Sequence, residues 1–157
     1  MPAMETDNNL NNLERALVIA ALAHAGQRDK AGEPYILHPL RMMLKLQGEQ
    51  ERQVALLHDV LEDTEITEEE LTEAGFDEEV LEAVRILTRR PGESRMQAAK
   101  RAAENPLALQ VKLADNADNL KPGRIPEPDE ADQERMKEYR RIRRFLLQAA
   151  RTQKETT

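Results

Sequence analysis

Cysteine is absent from the 157 residues, so disulfides, thiolate zinc sites and thiol nucleophiles are excluded and nothing asks for an oxidising compartment. Reactive groups must be oxygen or imidazole. No apolar run approaches the roughly 18 residues of a membrane span, and the polar start MPAMETDNNLNN lacks a basic segment followed by an apolar one. The expectation is a cytoplasmic protein with no membrane contact. Positive charge is also short: 23 Lys and Arg face 30 Asp and Glu, a formal net charge of −7. General nucleic-acid binding depends on a basic surface that neutralises phosphates, so no nucleic-acid partner is expected, and nothing in the sequence sets an oligomeric state. A small anionic substrate stays compatible where a metal and local cations supply the positive field.

A sustained alternation of apolar and polar residues is missing too. Apolar residues recur instead at helical spacing through Leu13, Leu17, Ala20 and Ala21, and again through Leu40, Met43, Leu44 and Leu46. The expected class is all-α, a single-domain helical bundle with a core over about 11–151, and a chain of this length buries about two thirds of its unfolded surface or more. The periodicity predicts helices over 11–25, 39–47, 50–62, 67–74, 77–88, 94–104, 107–120 and 131–151. Stop and start signals agree: Thr67 with Glu70 forms a capping-box pattern, Gly75 suits a C-cap, Asp77 an N-cap, and Asn105-Pro106 an N-cap followed by N1. GQRDKAGEPYI (26–36) reads as a loop, KPGRIPEPDEAD (121–132) as a Pro-rich surface loop, and the tail RTQKETT as frayed.

Into this frame fall three chemical signals. In ALLHDVLEDT (55–64) an apolar stretch suddenly contains His58, Asp59, Glu62 and Asp63; buried ions are costly without a partner, so the four want a compensating cation. On a continuous helix His58 and Glu62 share one stripe while Asp59 and Asp63 share its neighbour. The competing view makes Glu62 and Asp63 a solvated helix end and His58 a core histidine. In VKLADNADNL (111–120), Asp115, Asp118 and Asn119 lie at i, i+3 and i+4, compatible with a cation site or with caps and salt bridges. In EPYILHP (33–39), Pro39 suits the first helical position and leaves His38 at the N-cap, facing inward. His24 is read as structural or supporting. Together the segments offer two imidazoles and two carboxylates, a mixed nitrogen and oxygen set suited to Mn²⁺, Fe²⁺ or Zn²⁺ rather than Ca²⁺.

The order H…HD…D resembles the HD phosphohydrolase superfamily, and within it the hydrolase domain of the RelA/SpoT-type alarmone enzymes, including the stand-alone small alarmone hydrolases. The resemblance runs from about Leu17 to Leu120 through AHAGQRDKAGEPYILHP, ALLHDVLEDT and VKLADNADNL. It implies an HD-type helical bundle with metal ligation by His38, His58, Asp59 and Asp115. It further implies that Glu62 and Asp63 position or activate the attacking water, that Asn119 lies close to the nucleotide, and that Lys30 with the loop around Gly32, Glu33 and Tyr35 lies against the purine and ribose. The implied reaction is a Mn²⁺-dependent hydrolysis removing the 3′ pyrophosphate from guanosine tetra- or pentaphosphate. Asp29-Lys30 replaces the family's basic pair, and Asn116-Ala117-Asp118-Asn119 stands where the family reads Arg-Leu-x-Asn, so a looser preference for guanine, extending to an adenine analogue, is expected. The synthetase and regulatory domains of long members have no counterpart here, so nucleotide synthesis is not expected.

The chemistry needs no covalent nucleophile, since a divalent metal can activate water and polarise a phosphoryl oxygen. Lys30, Lys112 and Lys121 are the cations expected to meet the leaving diphosphate. The run RMKEYRRIRRF (135–145) reads either as part of that field or as a solvated basic face pairing with the acidic segment 62–82. Two further readings keep the site: a phosphatase acting on another nucleotide or on the 2′-phosphate of NADPH, and a slow nucleotide-sensing module.

Overall fold

Helix starts in this chain are written as a short polar side chain followed three residues later by an acid or an amide. Asn11, Thr67, Ser94 and Asp129 each accept the backbone amide three residues on, while Glu14, Glu70, Gln97 and Asp132 return a bond to the capping residue's own amide. Each box satisfies two donors that a helix start leaves without an internal partner. Asn105 accepts the Ala108 amide ahead of Pro106, as its spacing predicts. In the computed structural model, which describes residues 9–156, the outcome is α1 (Asn12–Ala23), α2 (Leu37–Lys45), α3 (Glu49–Leu57), α4 (Val60–Asp63), α5 (Glu68–Glu73), α6 (Glu78–Leu87), α7 (Arg95–Ala102), α8 (Pro106–Asn119) and α9 (Glu130–Glu155). Arg28 and Pro34 form an isolated antiparallel bridge, and no strand is formed among the described residues. The chain is all-α.

Three local expectations need correction. The predicted helix 50–62 is broken at His58 and Asp59 into α3 and α4. In an uninterrupted helix the Ala55 carbonyl receives the amide four residues on; here it accepts from Nδ1 of His58 at 2.7 Å, and Asp59 adopts φ −107°, ψ −1°, in the sparsely populated bridge region where active-site residues recur. Asp77 stands at the N-cap of α6 without making a side-chain capping bond. Helix α9 runs through the tail expected to fray, held by Gln153, whose Nε2 donates to the Ala103 carbonyl at 2.9 Å.

The core is built around α3 and α8. Gln53 through Leu57 of α3 are all buried, so this helix has no solvent face at its C-terminal half, and α1, α2, α6 and α8 pack around it. Burial of each Leu or Val there stabilises by about 1.5–3 kcal/mol. A smaller cluster of Ala99, Ala103, Leu109, Ile142 and Leu146 fastens α7 and α9 to the other side of α8. The two segments that carry acids into apolar surroundings are therefore set against each other at the centre of the fold.

The α6–α7 connection is held by one guanidinium. Arg101 donates to the carbonyls of Ile86 and Thr88 and to both carboxylate oxygens of Glu93. Those bonds hold the Glu93 carboxyl at about 2, against an ordinary 4.5. A depressed carboxyl pKa stabilises above its unfolded value and loses that contribution as pH falls through the folded one. Arg101→Met is expected to cost about 1–3 kcal/mol at pH 7, and the difference from wild type should shrink between pH 4.5 and pH 2. Denaturant unfolding across that range checks both; a pH-independent difference would mean the pair contributes nothing.

Candidate active site

His38 enters from the first turn of α2 rather than from its N-cap. The helix begins at Leu37 with Ile36 as the capping residue, because the amides of Leu37 and His38 already bond to the carbonyls of Pro34 and Tyr35, and Pro39 is tolerated so near the start. The ring is buried. Nδ1 lies 2.6 Å from Asp118 Oδ2, and Asp118 is itself gripped by Arg41 Nε at 2.8 Å, Arg41 Nη2 at 3.0 Å and Arg124 Nη1 at 3.3 Å. A carboxylate only accepts, so in the neutral ring Nδ1, in the shorter contact, carries the proton and Nε2 presents a lone pair. That lone pair points at Asp115 Oδ1, 3.0 Å away.

His58 is arranged in the same way. Its Nδ1 donates to the Ala55 carbonyl, leaving Nε2 buried and without a hydrogen-bond partner, although Asp59 Oδ2 is 3.0 Å and Asp115 Oδ1 is 3.6 Å from it. Two imidazole lone pairs and two carboxylates thus converge with their electron pairs facing one another. Such a set is unfavourable unless a proton or a metal ion lies between them. The titration behaviour reports the same tension. Burial pushes His58 down, but Asp59 and Asp115 lift it well above the usual imidazole range. Asp115 is pushed up by burial, yet Lys112, whose Nζ donates to Oδ2 at 3.1 Å, and the two histidines hold it well below the usual carboxylate range. The donor set fits a divalent metal of the nitrogen and oxygen type.

The break after α3 regroups the acids. His38, His58 and Asp115 bring candidate ligand atoms within 4.8 Å of one another, and Asp59, Glu62 and Asp63 do so separately, instead of the two mixed stripes that a continuous helix would give. Tyr35 donates its hydroxyl to Asp59 Oδ2. Glu62 accepts the Arg89 amide at 2.8 Å. Asp63 is raised, first by partial burial and then by the charges of Asp59 and Glu62.

These groups line a cleft of about 340 Å³ that also contains Arg89, Arg95, Lys112, Asn119, Arg124 and Tyr139. A second cleft of about 360 Å³ adjoins it, sharing Tyr35, Asn119, Arg124 and Tyr139 and adding Arg28, Asp29, Lys30 and Arg135. Of the residues expected at the substrate, Tyr35 and Asn119 line both chambers and Lys30 only the second, where it is paired with Asp132. Gly32 lines neither; at φ +79° it turns the loop, and its carbonyl accepts from Arg28. Asp29 spends Oδ1 on the amides of Ala31 and Glu33, at 2.9 and 3.0 Å. Lys121 is exposed and lines neither cleft. The Pro-rich segment is not merely surface, since it places Arg124 between the chambers. In 135–145, Arg135 reaches Asp132 and Glu138 reaches Arg95, whereas Glu68, Glu78 and Glu82 of the acidic segment pair with Arg85. Sequence reasoning missed Arg89, Arg95, Arg124 and Tyr139, since isolated arginines resemble ordinary surface residues.

The profile of the HD domain family matches residues 16–152. Over 121 residues, 69% of the chain, the sequence is 38% identical to a guanosine-3′,5′-bis(diphosphate) 3′-pyrophosphohydrolase of Aquifex aeolicus. It is 36% identical over 134 residues, 73% of the chain, to a GTP pyrophosphokinase of Myxococcus xanthus. The chain spans 17% of the length of each of these relatives. Among solved structures it is similar to a metazoan ortholog of SpoT described as hydrolysing ppGpp and acting in starvation responses, with a TM-score of 0.71 and 26% identity, covering 91% of this chain and 87% of the other.

Asp118 supplies a test of the histidine geometry. It touches none of the other candidate ligands but holds the His38 ring through Nδ1. Asp118→Asn is expected to weaken Mn²⁺ binding about 10- to 100-fold, the usual cost of removing such a supporting carboxylate, with helicity retained. Titration calorimetry with Mn²⁺ measures it; undiminished affinity would show that Asp118 does not orient the ring.

Proposed function

From the premise that this chain belongs to the HD domain family, we propose that it is a metal-dependent hydrolase that removes the 3′ pyrophosphate from a ppGpp-type nucleotide. The observation that carries the reading is the convergence of His38 Nε2 and His58 Nε2 on Asp115 and Asp59, beside two clefts joined by a shared wall. On this reading residues 16–152 act as one hydrolase domain, and His38, His58, Asp59 and Asp115 hold the metal. Mn²⁺ suits the set, with Fe²⁺ and Zn²⁺ as alternatives. When bound, the metal would make water nucleophilic at neutral pH and polarise a phosphoryl oxygen.

The remaining work falls to the chain's own side chains. Asp63, its pKa raised by its surroundings, is suited to accept the proton of the attacking water. Glu62, tied to the Arg89 amide, orients that water. Arg89, Arg95, Lys112 and Arg124 line the same chamber and would neutralise the departing diphosphate. Lys112 stays protonated, since Asp115 more than offsets the effect of burial on it. The nucleoside would occupy the second chamber, against Tyr35, Asn119 and the loop of Lys30 and Gly32. That chamber also holds Arg28 and Arg135, but its carboxylate neighbour Asp29 has one oxygen free of loop amides, which favours recognition of a base amino group and so a looser preference between guanine and adenine.

The test is incubation of nucleotides with the protein and Mn²⁺, followed by chromatography of the products. Pyrophosphate from a 3′-pyrophosphorylated nucleotide is the expected result. Orthophosphate release would reassign the chain as a phosphatase, and tight binding without turnover would make it a sensor. Glu62→Gln should keep the metal while lowering kcat about 10²-fold, whereas His58→Ala should lose metal and activity together. Metal analysis beside the rate assay separates the two roles; metal loss in Glu62→Gln would make Glu62 a ligand.

A further inference from the structure

Helix α4 is a single turn, Val60–Asp63, and it carries both proposed water-handling acids. One turn has no propagation to offset its nucleation cost, and its last carbonyls have no partner within the helix. Its position must be set from outside. Thr64 Oγ1 donates to the Val60 carbonyl at 2.5 Å, and the Asp63 carbonyl accepts from the side-chain amide of Gln27, Nε2 to O, at 3.0 Å. Gln27 lies 36 positions earlier, in the loop after α1.

The other atoms of Gln27 are committed as well. With Nε2 donating to a carbonyl, Oε1 faces His24 Nδ1 at 2.8 Å and must accept, so the proton of His24 sits on Nδ1. His24 is buried, and burial holds its pKa below the usual value; the neutral ring stands 4.8 Å from that of Tyr35. The Gln27 carbonyl receives the Tyr35 amide at 2.8 Å. Tyr35 in turn donates to Asp59. One residue therefore joins both carriers of the site: its side chain reaches the turn with Glu62 and Asp63, and its backbone carbonyl holds the loop whose tyrosine reaches Asp59.

We propose that Gln27, held in orientation by Nδ1–H of His24, is a positioning residue that fixes the α4 turn relative to the 26–36 loop, so that Glu62 and Asp63 address the substrate chamber. This rests on the hydrolase reading for its kinetic consequence but not for its structural one. Gln27 touches no proposed metal ligand, so metal content should not depend on it, and it lines neither cleft, so substrate affinity should change little. The effect belongs in kcat.

The experiment uses the full chain with Mn²⁺ and compares Gln27→Leu, Gln27→Glu, His24→Phe and His24→Asn. Gln27→Leu and Gln27→Glu both remove the donor to Asp63 and should lower kcat for ppGpp about tenfold or more, with KM and bound Mn²⁺ within about twofold of wild type. His24→Phe keeps a ring against Tyr35 but not the donor and should lose kcat similarly, while His24→Asn, whose Nδ2 can replace Nδ1–H, should recover most of it. Hydrogen exchange supplies the readout that is independent of activity: in Gln27→Leu the amides of 60–66 should exchange about tenfold faster or more while those of 49–57 are unchanged. A wild type that turns over no nucleotide would sink the hydrolase reading and leave exchange to decide. Unaltered exchange over 60–66, or a kcat loss that tracks metal loss, would overturn the role of Gln27.

Discussion

Two aspartates three residues apart on α8 have opposite fates, and most of the site follows from that difference. Asp118 is fully compensated within the protein by Arg41, Arg124 and the Nδ1–H of His38. Among the described residues Asp115 pairs with one permanent cation, Lys112, and shares its surroundings with the carboxylate of Asp59 and the Nε2 atoms of His38 and His58. Two carboxylates against one ammonium leave a deficit of positive charge whenever the histidines are neutral, and burial makes that deficit expensive. In the neutral ring the pair with Asp118 fixes the proton on Nδ1 and leaves Nε2 as a lone pair facing Asp115. Structural ion pairing on one side of the ring thus leaves on the other a lone pair of the kind a divalent metal takes.

The parts of this that the sequence made legible are those in which polarity interrupts an apolar helix. His58, Asp59 and Asp115 stand out because the residues around them are core, and the helical class and most helix limits followed from spacing and caps. The break between α3 and α4 was not legible, because the pattern 50–62 is continuous and the cause is one side chain, His58, taking a backbone carbonyl of its own helix. Nor were Arg89, Arg95 and Arg124, which lie in connections or at a helix start, where an arginine is normally solvated. Their role depends on which connections meet, and that is a property of packing between distant elements, not of local periodicity.

Composition describes the whole surface and not the cleft. A net charge of −7 describes the whole surface, yet the chamber beside the acids contains three arginines and a lysine. A global deficit of positive charge and a local excess are compatible because charged side chains act over a Debye length of about 8–10 Å in physiological salt. Low-dielectric walls extend that reach inside a cleft.

The two chambers also differ in origin, and this bears on how selectivity relates to chemistry. The acid chamber draws its candidate ligands from α2, α8 and the α3–α4 junction, where His38, His58 and Asp115 are buried and Asp59 is half-buried. The second chamber is walled by the 26–36 loop, the connection after α8 and the start of α9. Of the departures from the resembled family, Asp29 lines the second chamber and Asn116 the first. Asn116 donates to the Tyr139 carbonyl at 2.9 Å, so it ties α8 to α9 at the residue that separates the chambers. Asp29 holds two amides of its own loop, so it shapes the turn that carries Lys30. Neither residue makes a bond to His38, His58, Asp59 or Asp115. Changes at these positions can therefore alter the chamber walls without removing a bond to any of the four candidate ligands.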